Sequence, residues 1–467
     1  MQEHIFRTYD IRGIVGSEFI LKDSYLLGRA IASCFIRKHV GIKAIALAMD
    51  NRIHSQEIKN ALEQAFLDTG IDVVFIGLCP TPLMYFAQYH LDVQAGIMIT
   101  ASHNPAEYNG IKMVLNKQPF FGKDIIHVHE TFLNNDFVHV VDKGIATSYN
   151  LLKDYKDFLV KEFSHLKGVT RSLIFDCGNG TASTIIPDLI AALEFYDATV
   201  LCADVTQNKA THDADPSVEH NVQDVRKALE KKYEAIGLAF DGDADRMGAL
   251  AEDGRLVSGD KLLALYAKQI LKNNPGAVIV YDGKCSSGLV HMIQKAGGIG
   301  HVTKTGHAFI KEAIQQYGAL LGGELSCHFA FNDRYFGYDD GIYAALRLIE
   351  ILELTQKRLV DLVADFPYRV ASPELRIECP DGKGLEIVEV AKNYFSLQKD
   401  IHISTLDGIR IEKNDGWGLL RSSNTQSVIC LRLEAETDTG LADLKRDFMN
   451  ALSLSYPQEY LERTITW

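Results

Sequence analysis

The sequence predicts an α/β fold: three related α/β domains with mixed sheets, followed by a smaller C-terminal α+β domain. The chain has 467 residues, enough for about three domains at roughly 150 residues each. A short apolar run that ends in Asp and a polar turn occurs three times, and these aspartates are Asp50, Asp176 and Asp282. The chain after residue 367 has a different pattern, which adds a fourth and smaller domain.

Each of the three copies is followed by a second apolar run that ends in a polar loop, near residues 100, 241 and 324. Buried runs of this kind, separated by segments of helical periodicity, are typical of βαβ units around a parallel or mixed sheet. One helix is predicted over Gly341–Leu354, with one face formed by Ile342, Ala345, Ile349 and Leu352. Ligands bind at the carboxyl ends of such strands, so each α/β domain is expected to offer one polar loop.

The C-terminal segment contains short strand-like runs instead of long buried ones. ELRIECP, STLDGIRIEK, GWGLLRSSN and SVICLRLEAET are such runs, and Gly440–Leu454 has the periodicity of a helix. This pattern is typical of an α+β domain. We therefore predict domains over residues 1–150, 151–255, 256–366 and 367–467.

The composition excludes several classes of function. With 48 Lys and Arg against 61 Asp and Glu, the formal net charge is −13, so nucleic acid and anionic membrane surfaces are not expected as partners. An anionic substrate would need a positive field built locally by a few side chains. No apolar run approaches the ~18 residues that a membrane span needs.

The eight cysteines are scattered and include no CxxC pair. In a chain of this length, that favours reduced thiols over a disulfide framework or a zinc site. The N-terminal MQEHIFRTYD also lacks the apolar stretch of a secretory signal. These features predict a cytoplasmic protein.

The segment FDGDADR at residues 240–246 carries the strongest local indication of chemistry. Asp241, Asp243 and Asp245 alternate within one turn, too close together for three anions unless a cation joins them. Ligands that are all carboxylate oxygens favour a hard cation, Mg²⁺ before Zn²⁺. The sequence therefore predicts a metal site here.

Three other interpretations of this segment are open at the level of sequence. An EF-hand loop would use Glu252 as its twelfth residue, but it requires Gly where this chain has Arg246. A phosphatase of the Asp-x-Asp type would use an aspartate as its nucleophile. A solvated acidic turn is the third, since turns rich in Asp and Gly are common.

A serine follows the second apolar run of the first domain, in ITASHNPAEYNGIK. Ser102 lies where the strand is predicted to stop, a position that exposes a hydroxyl. Asn104 is a candidate donor to an oxyanion and Lys112 a candidate point charge for phosphate, with an Asn-Gly turn at residues 109–110. His103 is expected to form structural hydrogen bonds, and a turn that merely closes the strand is an equally good interpretation of the serine.

Two further polar loops have the composition of ligand sites. RSSNT at residues 421–425 offers a guanidinium, three hydroxyls and an amide, which suits a phosphate. GGELSCH has Glu324, Ser326 and His328 at alternate positions, so on an extended segment they point the same way. A carboxylate and a hydroxyl that project together suit a polyol such as a sugar ring, although a strand edge with incidental polar residues has the same pattern.

Five motifs resemble those of the α-D-phosphohexomutase superfamily, and they stand in family order along almost the whole chain. They are FRTYDIRG (6–13), TASHNP (100–105), DGDADR (241–246), GGELSCH (322–328) and RSSNT (421–425). The chain is most similar to the bacterial phosphomannomutase/phosphoglucomutase branch, an assignment that GWGLLRSSNT and RYFGYDDGIY strengthen. It departs from the usual family pattern at four secondary positions, which are Met49, His54, Gly283 and Cys327.

The resemblance implies four domains around a central cleft, with Ser102 as the phosphoserine that donates and recovers a phosphoryl group. Asp241, Asp243 and Asp245 would hold Mg²⁺ together with an oxygen of that phosphoserine. The remaining implied site residues are Arg12, Lys112 and His328 at the transfer site, Tyr9, His103, Asn104, Arg246, Lys284 and His307 around the substrate, Glu324 and Ser326 on the sugar hydroxyls, and Arg421, Ser423, Asn424 and Thr425 on the phosphate that is not transferred.

The implied activity is that of a phosphomannomutase/phosphoglucomutase, an isomerase that reversibly interconverts hexose 1-phosphate and hexose 6-phosphate. A hexose 1,6-bisphosphate would be its intermediate and activator. Its partners would be small sugar phosphates, with no nucleic acid and no membrane, and the protein would be a monomer or a weak homodimer. A phosphoglucosamine mutase and a sugar phosphatase with an Asp nucleophile are the alternatives.

Overall fold

The strands of the described chain form four separate sheets. The computed structural model describes residues 1–205, 211–380, 382–423 and 428–465. Within these ranges three sheets are mixed and covered by helices, and the fourth is antiparallel. This architecture confirms the predicted α/β fold with a smaller C-terminal α+β unit. None of the described helices combines the length and the apolar character that a membrane crossing requires.

The first unit has a sheet that is buried on both faces. Its strands are β1 (Ile11–Ile14), β2 (Ala44–Met49), β3 (Asp72–Leu78), β4 (Ala95–Ile99), β5 (Tyr108–Leu115), β6 (Gln118–Pro119) and β7 (Ala146–Ser148), and its helices are α1 (Ser24–Lys38), α2 (Ser55–Leu67), α3 (Thr81–His90) and α4 (Lys123–Leu133). Ile45 and Leu47 of β2 face the core of this unit. Ala46 and Ala48 face a larger core that the second and third units share. Alternate residues of a strand point to opposite faces, which explains why this run is apolar throughout.

The second and third units continue the α/β pattern. The second contains β8 (Leu173–Asp176), β9 (Ala198–Leu201), β10 (Ile236–Phe240), β11 (Met247–Leu250) and β12 (Leu256–Val257), with α5 (Leu151–Glu162), α6 (Ile186–Leu193) and α7 (Gln223–Leu229). The third contains β13 (Val278–Asp282), β14 (Ile299–Thr303), β15 (Leu321–Gly323) and β16 (Phe329–Phe331), with α8 (Gly259–Leu271), α9 (Ser287–Lys295), α10 (His307–Tyr317), α11 (Gly341–Thr355) and α12 (Leu359–Val363).

The three α/β units repeat one strand order, which confirms the internal repeat seen in the sequence. The order is β3-β2-β4-β5 in the first unit, β9-β8-β10-β11 in the second and β14-β13-β15-β16 in the third. In each case the first three strands are parallel and the last is antiparallel. The polar loops after β4, β10 and β15 therefore occupy equivalent ends of three similar sheets.

The fourth unit packs its helices on an antiparallel sheet. Its elements are β17 (Val370–Ala371), β18 (Leu375–Glu378), β19 (His402–Ser404), β20 (Ile409–Lys413), β21 (Gly416–Ser422) and β22 (Val428–Ala435), with α13 (Gly384–Ser396), α14 (Asp438–Leu452) and α15 (Gln458–Thr464). Phe395 of α13 and Phe448 of α14 meet in its core, with ring centroids 4.8 Å apart. Helix α14 begins and ends two residues earlier than predicted.

The turn predicted at residues 109–110 is absent, and this prediction was wrong. Both residues lie within β5, where the strand passes very close to β1. A Cβ atom at Gly110 would lie 2.4 Å from the carbonyl oxygen of Ile11, so this position needs glycine for packing and not for a turn.

Helix α11 confirms the helix predicted over Gly341–Leu354, and its burial extends beyond the predicted apolar face to all sides. Every residue from Gly341 to Leu352 is buried, including Arg347 and Glu350. Arg347 donates to both carboxylate oxygens of Asp333 at 2.8 Å. A buried charge is tolerated when it is paired in this way, so an apolar stripe underestimates how much of the helix is covered.

Asp340 caps α11 and joins it to the second unit. Its Oδ1 accepts the backbone N–H groups of Ile342 and Tyr343, at 3.0 and 2.9 Å. Its Oδ2 accepts the hydroxyl of Tyr155 on α5 at 2.7 Å and that of Tyr335 at 2.8 Å. One buried carboxylate therefore serves as a helix cap and as the acceptor for two buried hydroxyls.

Asp340→Ala is expected to lower the thermal transition more than the loss of an ordinary cap does. Loss of the cap lowers the free energy of unfolding by about 1 kcal/mol. Each buried hydroxyl left without an acceptor lowers it by about 1–3 kcal/mol more. Ser286→Ala is the control, because Ser286 caps α9 of the same unit with one bond to the Gly288 backbone. Calorimetry of both variants tests this, and equal shifts would contradict the role of Asp340.

Candidate active site

Loops from all four units meet at the carboxyl ends of the strands. The Ser102 hydroxyl of the first unit lies 2.6 Å from Asp241 of the second. His328 of the third unit lies 3.4 Å from Asp245 of the second. The fourth unit contacts the third through Asp407, whose carboxylate accepts the backbone N–H of Thr305 at 3.0 Å. The strand order that the α/β units share thus brings their polar loops to one place.

Ser102 points its hydroxyl at the acidic loop. Its backbone has a φ of 52°, which lies in the left-handed region, and its Oγ donates to Asp241 Oδ2 at 2.6 Å and lies 3.2 Å from His103 Nδ1. A Cβ atom at Gly242 would lie 2.4 Å from the Ser102 carbonyl oxygen. The glycine inside the acidic motif is therefore required so that the two loops can touch.

Arg52 holds the serine loop in place, and the sequence analysis did not identify it. Its Nε is bound by Asp50 at 3.2 Å. Its two terminal nitrogens donate to four backbone carbonyl groups of the loop, at distances between 2.6 and 3.0 Å, and these belong to Ser102, Asn104, Pro105 and Tyr108. Its position two residues after the repeated aspartate was the available signal.

The three aspartates of the acidic loop are fully buried. One carboxylate oxygen from each of Asp241, Asp243 and Asp245 lies within 4.8 Å of the others. Lys112 Nζ lies 2.7 Å from Asp243 Oδ2 and 2.5 Å from Asp245 Oδ2. Thr81 also donates its hydroxyl to Asp243, at 2.6 Å. Lys112 therefore contacts the acidic loop directly, where the sequence suggested only a point charge for phosphate.

The negative charge of this loop is only partly neutralised by the protein. Burial, with the charges of Asp245 and Asp243, raises the pKa of Asp241 to about 7. Burial also opposes ionisation of the other two, yet Lys112 keeps the pKa of Asp243 below its ordinary value and that of Asp245 well below it. A further positive charge at this point would stabilise the ionised form of Asp241.

The donor set fits a hard divalent cation. Among the described residues, Asp243 Oδ1 and Asp245 Oδ1 are buried without a hydrogen-bond partner. Buried carboxylate oxygens are rarely left in that condition, and ionised oxygen ligands in this number suit Mg²⁺. The residues that would hold it are Asp241, Asp243 and Asp245.

Two alternatives for the acidic loop do not survive the structure. Glu252, the twelfth residue of a hypothetical EF-hand, instead accepts the backbone N–H groups of Leu359 and Val360 at the start of α12, at 2.7 and 3.0 Å. Arg246, at the position where that loop needs glycine, donates to Asp241 at 3.1 Å. A solvated acidic turn is excluded because the three aspartates are fully buried.

Arg12 lies beside the serine loop on β1. Its Nη2 is 2.5 Å from Asp10 Oδ2, and its Nη1 donates to Asn104 Oδ1 at 2.9 Å. The amide oxygen of Asn104 is thus an acceptor for Arg12, while the sequence analysis proposed this side chain as a donor to an oxyanion. Burial, followed by the charge of Arg246, holds the pKa of His103 well below its ordinary value, so this ring is neutral at pH 7.

The segment with Glu324, Ser326 and His328 is a tight turn, so the prediction of an extended segment was wrong. The backbone N–H of Cys327 donates to the Glu324 carbonyl at 3.1 Å, and Cys327 has a φ of 70°. The three side chains still converge, because His328 Nδ1 lies 3.1 Å from Glu324 Oε2 and 3.1 Å from Ser326 Oγ.

The stacked rings of His307 and His328 differ in charge. Their ring centroids are 5.7 Å apart. Burial opposes the charge on His328, but Asp245 and Glu324 raise its pKa to about 10. Burial and the ammonium of Lys311 hold the pKa of His307 well below its ordinary value, and Lys311 Nζ lies 2.8 Å from His307 Nδ1. At pH 7 the site therefore contains an imidazolium and a neutral imidazole side by side.

Tyr9 joins the first unit to the third across the cleft. Its hydroxyl donates to the carbonyl of Thr305. A Cβ atom at Gly306 would lie 2.3 Å from the Tyr9 ring, so the loop before α10 needs glycine for the two units to approach.

Two predicted cations are paired with carboxylates of the fourth unit. Lys284 Nζ lies 2.9 Å from Glu374 Oε2, and Arg421 Nε donates to Asp407 Oδ2 at 2.8 Å. The attraction of Lys284 lowers the pKa of Glu374 to about 2. Both pairs orient their cations, and the pair of Lys284 with Glu374 also connects the third unit to the fourth.

The loop after β21 is described as far as Ser423. The backbone N–H of Ser423 donates to the Val428 carbonyl at 2.8 Å, which continues the pairing of β21 with β22. Asn424 and Thr425, which were also predicted to bind phosphate, lie outside the described residues.

The structure groups the predicted residues around the acidic loop. Those that contact its aspartates are Ser102, Lys112, Arg246 and His328, and those one contact further away are His103, Glu324 and Ser326. The residues that sequence analysis missed are Arg52, Thr81, Asp215 and Lys311. Asp215, which binds Arg246 at 3.2 Å, gave a weak signal because it precedes a proline in a polar loop.

Comparison with known proteins gives matches over nearly the whole chain. Residues 3–139, 153–254 and 258–370 match the alpha/beta/alpha domains I, II and III of phosphoglucomutase/phosphomannomutase, and residues 374–451 match the C-terminal domain.

Similar proteins are known from several bacteria. A phosphomannomutase/phosphoglucomutase of Pseudomonas aeruginosa is 37% identical over 96% of this chain and 95% of its own length. A phosphoglucomutase of Neisseria gonorrhoeae is 37% identical over 95% of each. The crystal structure of a phosphoglucomutase/phosphomannomutase family protein from Burkholderia thailandensis superimposes with a TM-score of 0.89 and 34% identity, over 98% of each chain.

Glu374→Gln is expected to make the stability of the protein less sensitive to acid. The pKa of Glu374 is about 2 in the fold and 4.5 for an unperturbed glutamate, so the stability from its ion pair is fully present above pH 4.5 and is lost as the pH falls towards 2. The pair contributes up to about 3 kcal/mol by this shift.

Thermal unfolding followed between pH 7 and pH 3 tests this expectation. The variant should be less stable than the wild type at pH 7 and should approach it at pH 3. Glu386→Gln, which removes an exposed carboxylate paired with Lys383 in the same unit, should follow the wild-type curve. Parallel curves for wild type and Glu374→Gln would contradict the assignment.

Proposed function

Since the chain belongs to the phosphoglucomutase/phosphomannomutase family, we propose that it is a phosphohexomutase that interconverts hexose 1-phosphate and hexose 6-phosphate. Both glucose and mannose phosphates are its proposed substrates, in keeping with the names of its relatives. We also propose Mg²⁺ as the metal, hexose 1,6-bisphosphate as intermediate and activator, the cytoplasm as the location, and a monomer or weak homodimer as the assembly.

One observation carries this proposal: a serine hydroxyl lies 2.6 Å from a fully buried aspartate of a three-aspartate loop. Phosphoryl transfer needs an oxygen nucleophile, a divalent cation and positive charge around the transferred group. Ser102 supplies the oxygen, Asp241 and its two neighbours supply the cation ligands, and Lys112 and Arg12 lie at the same end of the sheets. Few other reactions require this combination.

The reaction is proposed to run twice through the same site. In the first half, the bond between phosphorus and Ser102 Oγ breaks as a bond forms between phosphorus and a hydroxyl oxygen of the hexose phosphate, whose proton is lost. In the second half, the bond between the other phosphorus of the hexose 1,6-bisphosphate and its sugar oxygen breaks as a bond to Ser102 Oγ forms, and the sugar oxygen takes back a proton to give the isomeric hexose phosphate. When bound, Mg²⁺ supplies charge neutralisation at the transferred phosphoryl group.

The proton of the attacking hydroxyl has three candidate acceptors, which are Arg12, Lys112 and His328. In the structure all three are paired with carboxylates, and against the effect of burial these carboxylates raise the pKa of Lys112 and of His328. As cations they would neutralise the phosphoryl oxygens, and one of them must release its proton before it acts as a base. His307, which is neutral, accepts from Lys311 through Nδ1 and would donate through Nε2 to the substrate.

The other end of the substrate would be held by the third and fourth units. Glu324 and Ser326 would bind sugar hydroxyls, with Tyr9 and Lys284 beside them. Arg421, oriented by Asp407, would bind the phosphate that is not transferred, together with Ser423, Asn424 and Thr425. Release of these contacts to the phosphate would let the hexose 1,6-bisphosphate reorient between the two halves of the reaction.

A phosphatase with an aspartyl nucleophile is disfavoured by the bonds of Asp241. Its Oδ1 accepts the backbone N–H of Arg246 at 3.1 Å. Its Oδ2 accepts from Ser102 Oγ at 2.6 Å and from Arg246 Nε at 3.1 Å. Both carboxylate oxygens of Asp241 are thus engaged by donors of the protein, and these bonds lower the nucleophilicity of the carboxylate.

Ser102→Ala is expected to lower turnover of glucose 1-phosphate and mannose 1-phosphate by roughly 10⁴-fold or more, because the group that carries the phosphoryl is gone. The measurement is ³¹P NMR of 6-phosphate formation with Mg²⁺ and a trace of the 1,6-bisphosphate. Ser326→Ala is the matched control, since it removes one sugar contact in the same cleft and should cost about 10-fold in kcat/KM.

Three results would contradict the proposal. Full activity of a folded Ser102→Ala protein would exclude the phosphoserine. Net release of inorganic phosphate with a label on Asp241 would favour the phosphatase. Faster turnover of glucosamine 1-phosphate than of both hexose phosphates would favour a phosphoglucosamine mutase.

Arg52→Lys is expected to lower kcat by about 10- to 100-fold and to leave KM within about threefold, because lysine cannot hold four carbonyl groups of the serine loop at once. Arg52 acts on Ser102 through the backbone, so substrate binding should be spared. Arg37→Lys changes an exposed arginine of the same unit and should behave like the wild type. A change in KM alone would mean that Arg52 binds substrate instead of positioning the loop.

A further inference from the structure

A second cluster of metal-binding side chains lies in the second unit, and the mechanism above does not use it. Asp176 stands at the end of β8, Cys202 directly follows β9, and His212 lies in the loop before α7. Three separate chain segments thus bring one carboxylate, one thiol and one imidazole together. The spacing in the sequence does not show this, since Asp176 lies well before Cys202 and His212 and only the fold brings it beside them.

The distances between the three ligand atoms suit a tetrahedral metal. His212 Nε2 lies 3.1 Å from Asp176 Oδ2 and 3.8 Å from Cys202 Sγ, and all three atoms lie within 4.8 Å of one another. With metal–nitrogen and metal–oxygen bonds near 2.1 Å and a metal–sulfur bond near 2.3 Å, tetrahedral geometry places ligand atoms roughly 3.3–3.7 Å apart. Small side-chain movements would therefore bring all three onto one ion.

Neighbouring groups orient each ligand. His212 Nδ1 donates to the carbonyl of Asp213 at 2.9 Å, which fixes the orientation of the ring, and a metal ion at the cluster would replace the proton on Nε2 that faces Asp176. Asp176 is 1% exposed, and its Oδ1 accepts the backbone N–H of Gly178 at 3.0 Å, so its Oδ2 is the oxygen that faces His212. The Thr211 hydroxyl lies 3.1 Å from Cys202 Sγ and can donate to a thiolate.

The ligand chemistry selects the class of metal. A thiolate and an imidazole do not suit Mg²⁺, which takes oxygen ligands, but they are the common ligands of Zn²⁺. One thiolate and one carboxylate would balance the two positive charges of the ion, with the imidazole neutral. Three protein ligands leave one position for water.

We propose that Asp176, Cys202 and His212 form a second metal site, for Zn²⁺ or a similar transition-metal ion, distinct from the acidic loop. Its consequence for the active site runs through the chain that follows His212. Asp215 lies three residues later and binds Arg246 at 3.2 Å, and Arg246 in turn contacts Asp241. An ion at this cluster would fasten the loop that carries Asp215 and would so support the position of Arg246.

The test uses Co²⁺ as a spectroscopic probe for zinc on the full-length, metal-stripped protein, with Mg²⁺ in excess to occupy oxygen-only sites. Wild type should bind one equivalent of Co²⁺ with a thiolate-to-cobalt charge-transfer band in the near ultraviolet, because only a thiolate ligand gives that band. Cys202→Ser and His212→Ala should lose it. Cys379→Ser removes the other half-exposed thiol and should keep it.

A measurement on the wild type covers the case in which a variant does not fold. Zn²⁺ should protect one thiol of the native protein from alkylation, and peptide mapping should identify it as Cys202. A wild type without the band, a band that persists in folded Cys202→Ser, or equal alkylation of Cys202 with and without Zn²⁺ would overturn the proposal. In each case the cluster would be an ion pair of His212 and Asp176 beside a thiol. Activity is not a readout here, so failure of this site and failure of the mutase proposal are separate results.

Discussion

The neutralisation of three buried carboxylates organises the whole molecule. Asp241, Asp243 and Asp245 carry their charge inside the protein, where an unpaired ion is very costly. Two of the cations that face them come from other units: Lys112 from the first and His328 from the third. If the units separated, the aspartates would lose Lys112 and His328 as partners for their charge. The ion pairs around this candidate metal site therefore also join the α/β units, and the shared apolar core adds to this attachment.

The repeated strand order explains why the polar loops can meet. In the three α/β units, the equivalent strands β4, β10 and β15 each lie between a parallel and an antiparallel neighbour. The loops that follow these strands therefore leave from the same end of each sheet. The contacts between loops are then set by glycines that permit close approach. Gly242 allows the acidic loop to touch the backbone of Ser102, and Gly306 allows the third unit to touch Tyr9. The fourth unit has a different fold and reaches the cleft through ion pairs.

Local composition was enough to predict the fold class and the acidic loop, because runs of buried strands and three alternating aspartates are visible within short windows. Arg52 and Thr81 could not be predicted in this way, since their roles depend on backbone and side-chain atoms of distant segments. The turn at Glu324 was mistaken for an extended segment because spacing alone does not reveal a left-handed residue such as Cys327. The helix predicted over Gly341–Leu354 is present as α11, but its apolar periodicity does not reveal that the charged residues Arg347 and Glu350 are buried as well.

Ser102 and the three aspartates are proposed to form one centre for a divalent cation and a phosphoryl group. Anomalous diffraction from crystals of the Ser102-phosphorylated protein containing Mn²⁺ tests it directly. The account predicts one ion bound by Asp241, Asp243 and Asp245 and by an oxygen of the phosphoserine. An ion bound elsewhere in the cleft, or no ion at saturating Mn²⁺, would contradict it.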